Sequence, residues 1–127
     1  MTEAEVTKIM REHLESQFPK VCPNCNRRFA TLHEFILVTR PIEPAISYDA
    51  ELGDWSPSRP LGTATYSNCP CDSTLVLTSE GMPVPALYSL YEWARGETEK
   101  RGMTMEQLLT HLRAVIRRQV LGGAQPE

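Results

Sequence analysis

No stretch of this chain is apolar for long enough to cross a membrane as a helix. The longest aliphatic and aromatic run is Phe35-Ile36-Leu37-Val38, against the roughly 20 residues that a span needs. The start predicts no secretory leader either: Met1-Thr2-Glu3-Ala4-Glu5 is acidic and polar, with no basic start and no apolar continuation. These absences predict a cytoplasmic protein without membrane contact. Positive charge is in deficit, the net charge being −3, which removes a strongly basic nucleic-acid footprint over the chain as a whole. Catalytic signatures are lacking too: there is no G-x-S-x-G elbow, phosphate-cradling glycine loop, H-E-x-x-H pair or Asp-rich calcium loop. Ser, His and Asp occur at spacings that single none of them out. No catalytic residue is assigned, and the chain reads as non-enzymatic.

What is present fits one domain of 127 residues. Hydrophobic residues are 41% of the chain and charged residues 23%, a balance that builds a modest core rather than a disordered chain. Val6, Ile9, Met10, His13 and Leu14 predict an amphipathic helix over 3–18, stopped by Pro19. Thr31-Leu32-His33-Glu34 fits a capping box and opens a short helix over 32–39. The stretch 40–60 holds Pro41, Pro44, Pro57, Pro60 and Gly53 and reads as a Pro-rich loop, with room for a hairpin or short edge strands. Alternating β-branched and aromatic residues predict strands over 61–68 and 73–78, paired as a hairpin. Pro85 suits the first turn of a helix carried on by Leu87, Leu90, Tyr91 and Ala94, and Gly96 predicts its early end. Thr104-Met105-Glu106-Gln107 is a second capping box. It opens a helix with the apolar stripe Met105, Leu108, Leu109, Leu112, Val115, Ile116 and Val120, closed by Gly122-Gly123.

The chain has four cysteines, and they form two close pairs, Cys22-Pro23-Asn24-Cys25 and Cys69-Pro70-Cys71. Structural zinc takes four soft ligands in a tetrahedron. A C-x-x-C turn supplies two sulfurs from one side, its backbone amides donate to the thiolates, and a hairpin turn can bring the second pair. Disulfides are disfavoured in a reducing compartment, while iron–sulfur or mononuclear iron sites use the same thiolates. A redox C-x-x-C is expected to open a helix after a strand, whereas Cys22 follows a helix and a proline. The first turn resembles the knuckle of zinc-ribbon and rubredoxin-like proteins, C-P-x-C-G, with Asn26 in the glycine place; Asn is the next residue to tolerate that backbone. The second turn departs from the pattern: Cys69-Pro70-Cys71 is a residue short and Asp72 stands where glycine would. The resemblance covers the cysteine turns and the hairpin, and implies one structural Zn²⁺ per chain held by Cys22, Cys25, Cys69 and Cys71.

The resulting fold class is α+β, a single zinc-binding domain over 1–127. A zinc-stapled β-hairpin and knuckle pack with about four helices, the C-terminal helical part being 83–121 and the tail 122–127. His13 reads as a half-buried core residue, His33 as a reserve ligand, and Tyr88, Tyr91 and Trp93 as core. Arg113, Arg117 and Arg118 form a basic helix end, which complements the helix dipole or contacts phosphates together with Arg27, Arg28 and Arg40. Trp55 and Tyr48 are either partner-binding anchors or a lid over the hairpin core. Apolar helix surface in excess of what one hairpin covers predicts a homodimer or a helical partner. The function these features favour is a zinc-binding regulatory or adaptor protein acting through protein–protein contacts. A nucleic-acid-binding transcriptional regulator comes second and a thiol/redox or iron protein third.

Overall fold

The computed structural model describes residues 1–48 and 62–122, and of 43–48 and 62 the backbone alone. The elements are α1 (Glu3–Glu15), β1 (Lys20–Val21), β2 (Arg28–Phe29), α2 (Leu32–Val38), β3 (Arg40–Tyr48), β4 (Gly62–Asn68), β5 (Thr74–Thr78), α3 (Val84–Arg101) and α4 (Met105–Gly122). Strands β1 and β2 form a two-stranded antiparallel ribbon. The other three make an antiparallel sheet of order β3-β4-β5. The α+β class holds, and the hairpin of the sequence reading is the β4–β5 part of a larger sheet.

Helix starts follow local chemistry. Thr104 and Gln107 exchange hydrogen bonds across the first turn of α4, at 2.9 and 3.1 Å, as the capping box requires. Thr31 accepts from the Glu34 amide at 3.1 Å, but the Glu34 carboxylate reaches one residue further back, to the amide of Ala30 at 2.7 Å. A third box, Thr2 with Glu5, opens α1. This helix stops at Glu15, short of Phe18, and tight bonds from the amides of Gln17 and Phe18 to the carbonyls of Leu14 and Glu15 finish the segment.

Helix α3 does not end at Gly96. It runs to Arg101, where Gly102 in the left-handed region (φ 64°) sends its amide to the Thr98 carbonyl. A glycine inside a helix costs about 1 kcal/mol, and burial of Leu87 and Ala94 with the Glu97–Arg101 pair outweighs it. A Cβ at Gly96 meets nothing within 4 Å. Gly96→Ala is therefore expected to stabilise by about 0.5–1 kcal/mol, and Gly102→Ala, forced into positive φ, to destabilise by about 1 kcal/mol. Thermal denaturation of the two variants checks this. Shifts of the same sign would show that the helix boundary is misplaced.

Strand β3 occupies the first part of the stretch that reads as loop. Its prolines are compatible with a strand because β3 lies at the sheet edge, where an absent N–H breaks no ladder on the open side. Pro41 stands opposite Ser67, and the register with β4 shifts between Ile42 and Ile46, the interval that holds Pro44. A bulge there accommodates the residue that cannot donate.

Most of the buried hydrophobic residues among those described fall into two groups. Cys22, Phe29, Leu32, Phe35, Cys69, Leu75 and Leu77 pack beside the cysteine turns. Val6, Ala94, Leu108, Leu109 and Leu112 pack where α1, α3 and α4 meet, with Met10, Leu90 and Trp93 around them. The apolar helix surface that suggested a dimer thus finds much of its cover inside the chain. A polar seam closes the α1–α4 contact: Arg11 donates to Gln119 at 2.7 Å, and Gln119 donates to the buried Thr7 hydroxyl at 3.2 Å. Glu3 of α1 binds Arg101 of α3 at 2.9 Å and His111 of α4 at 3.1 Å. Burial raises the Glu3 carboxyl, but these two partners outweigh it and hold it below the usual range. His13 is half-buried as expected, its Nε2 3.1 Å from the Glu80 carbonyl.

Candidate metal centre

Two reversals of the chain carry the cysteines. The first joins β1 to β2. Within it the Cys22 amide donates to the Arg27 carbonyl at 2.9 Å and the Asn26 amide to the Cys22 carbonyl at 2.9 Å. Asn26 takes φ 64°, the conformation for which glycine is usual. The second joins β4 to β5, with the Cys69 amide on the Ser73 carbonyl and the Asp72 amide on the Cys69 carbonyl, both at 2.8 Å. Asp72 takes φ 74°. The shorter Cys69-Pro70-Cys71 spacing therefore keeps the left-handed step after its second cysteine, and only the loop is a residue tighter.

The turns face one another. Cys22 Sγ lies 3.7 Å from Cys71 Sγ, and Cys25 Sγ lies 3.7 Å from Cys69 Sγ. All four sulfurs fall within 4.8 Å of one another, and none is bonded to another as a disulfide. Four sulfurs about 2.3 Å from a central zinc define a tetrahedron with edges of about 3.8 Å. The two cross-pairs match that edge, with each turn giving one sulfur to each pair. Burial is uneven: Cys22 and Cys69 are buried against the aromatic core, Cys71 is half-buried and Cys25 is exposed. The quartet can hold one metal ion.

Donors around the sulfurs favour the thiolate form. Backbone amides of Cys25 and Asn24 hold the Cys22 thiol below its ordinary value. The Ser73 hydroxyl, the Asn24 side chain and the Ser73 amide bring Cys71 to about 5. At Cys69 the Cys71 amide pulls downward, but burial and the neighbouring Cys25, Cys71 and Cys22 thiols push the group up to about 12. Four thiols this close cannot all ionise without a cation among them, and a coordinated dication deprotonates its thiols outright. Asn24 Nδ2 sits 3.4 Å from Cys71 Sγ, a cross-turn contact that neither cysteine spacing signals. Asn24→Ala is expected to weaken metal retention about tenfold or more, in line with loss of one outer hydrogen bond to a ligand. Competition against a chromophoric chelator measures it, and an unchanged affinity would remove Asn24 from the site.

The other candidates fare differently. His33 is exposed and stands outside the quartet. Arg113 donates to the Ile42 carbonyl on β3 at 3.0 Å, and Arg117 to the Ile36 carbonyl in the last turn of α2 at 3.4 Å. Both are half-buried, while Arg118, Arg27, Arg28 and Arg40 are exposed. Trp55 lies outside the described residues. Tyr48 closes β3 opposite Gly62. No helix among the described residues is long and apolar enough to cross a membrane. No protein-family model matches the chain, and no curated protein or solved structure is significantly similar to it.

Proposed function

We propose that Cys22, Cys25, Cys69 and Cys71 hold one zinc ion as a structural staple, and that the protein is a non-enzymatic regulatory or adaptor protein working through contacts with another protein. The observation that carries the metal reading is the pair of 3.7 Å sulfur contacts between the turns, the edge length of a zinc tetrathiolate. Four thiolates fill a tetrahedral shell, so the metal would fix the fold and leave no position for a reacting water. A binding role draws support from the surface. Val21, Leu37 and Val84 are exposed apolar residues, and the knuckle tip from Pro23 to Arg28 is exposed throughout.

Nucleic-acid binding draws less support. Two of the three α4 arginines hold backbone carbonyls of neighbouring elements. Elemental analysis of the purified protein tests the first half of the proposal: one zinc per chain is expected, and iron or a redox-titratable colour would replace it with an electron-transfer reading. Affinity capture tests the second half. A partner protein is expected to be lost when Trp55 or Arg118 is altered. Retention of nucleic acid in a salt-dependent manner would overturn the adaptor reading in favour of the regulator.

A further inference from the structure

Among the described residues, α1 and α4 carry side chains into both buried groups: Leu14 and Val120 pack on the cysteine side, Val6 and Leu108 on the other. Beside both lies an apolar pocket of about 320 Å³, partly open to solvent, with room for on the order of ten water-sized groups. Its floor is one face of β4 and β5, and α1, α2, α3 and α4 wall it above. Its size falls in the range of small-molecule sites.

The lining has a chemical character. Most of it is aliphatic or aromatic, including Leu112, Phe35 and Leu77. The central strand adds the row Thr63, Thr65 and Ser67. Among the described residues, the Thr65 and Ser67 hydroxyls make no side-chain hydrogen bond. The charged groups on the wall are Arg113 and Arg117, with His13 the other titratable base; among the described residues no Asp or Glu lines it, although the chain holds 16. Arg117 spends one N–H on the Ile36 carbonyl and a guanidinium has five. An apolar chamber with hydroxyls along one wall and guanidinium at its side excludes cations and suits an amphiphile with a negative head.

We infer that this pocket between the sheet and α1, α2, α3 and α4 is a binding site for a single-chain anionic amphiphile of about ten carbons, its head at Arg117. The site is separate from the cysteine turns, so the test uses metal-loaded protein. Decanoate below its micellar concentration is titrated calorimetrically, beside decanol. Saturable 1:1 binding of decanoate is expected, with decanol about tenfold weaker. Arg117→Gln is expected to weaken decanoate about tenfold and leave decanol within about twofold. Thr65→Phe, filling the chamber from the sheet, and Ala94→Leu, filling it from α3, are each expected to abolish binding of both; either variant suffices if it melts within a few degrees of the parent. Absence of saturable decanoate binding overturns the inference, as does binding that survives a folded filling variant. Equal affinity for decanol overturns the assignment of a negative head.

Discussion

Stripping the metal with a strong chelator is expected to lower the melting temperature by more than about 15 °C and to unfold the cysteine side of the molecule. Structural zinc binding in peptides is worth about 10–16 kcal/mol at neutral pH, which exceeds or equals the whole net stability of a typical domain. The reason here is local. Cys22 and Cys69 are themselves core residues, packed with Phe29, Phe35 and Leu75. β1 and β2 have two residues each, too few to stand as a ribbon without a staple. Without a cation, four thiols within 4.8 Å either stay protonated or repel. The group around Val6, Leu108 and Leu112 contains no cysteine, so part of the helical circular dichroism is expected to persist after chelation. Cys69→Ser is expected to reproduce the chelated state and to be beyond rescue by added zinc, whereas the parent is rescued. Melting curves of the two proteins, with and without chelator and zinc, check this. A parent that melts within a few degrees of itself after complete metal removal would refute the structural role.

The centre was legible because its information is local. Each cysteine turn is encoded by a few adjacent residues, and both positive-φ steps fall on Asn26 and Asp72, where the glycine-like positions of the motif place them. Capping boxes are equally local, and Thr104 with Gln107 is formed as written. What failed to show in the pattern depends on distant partners. Pro41 and Pro44 speak for a loop until a sheet edge and a register shift absorb them. Gly96 speaks for a helix end until tertiary burial of Leu87 and Ala94 carries the helix past it. Arg113, Arg117 and Arg118 look alike along the chain. Two of them turn inward because backbone carbonyls 71 and 81 residues away await them. The pocket leaves still less trace, since its walls come from elements far apart along the chain.

Phe35→Ala is expected to destabilise the metal-loaded protein by about 3–5 kcal/mol, most of a typical domain's reserve. Phe35 is 1% exposed. It meets Phe29 edge-on at 5.2 Å and Phe18 at 5.5 Å, pairs worth about 0.5–1.5 kcal/mol beyond their burial. Helix α2 has seven residues, too short to hold its shape by propensity, so its docking rests on Leu32 and Phe35, its two buried residues. Phe35 also stands at the wall of the pocket. Leu37 on the same helix is 64% exposed, and Leu37→Ala is expected to change stability by no more than about 0.5 kcal/mol. Urea denaturation of both variants measures the contrast, and comparable midpoints would mean that α2 does not dock as described. The effect should reach the metal as well. Phe29 directly follows the first cysteine turn and rests on Phe35, so losing the ring loosens the turn that carries Cys22 and Cys25. Faster metal transfer to a chelator in Phe35→Ala, and an unchanged rate in Leu37→Ala, would trace the link from aromatic packing to the four sulfurs.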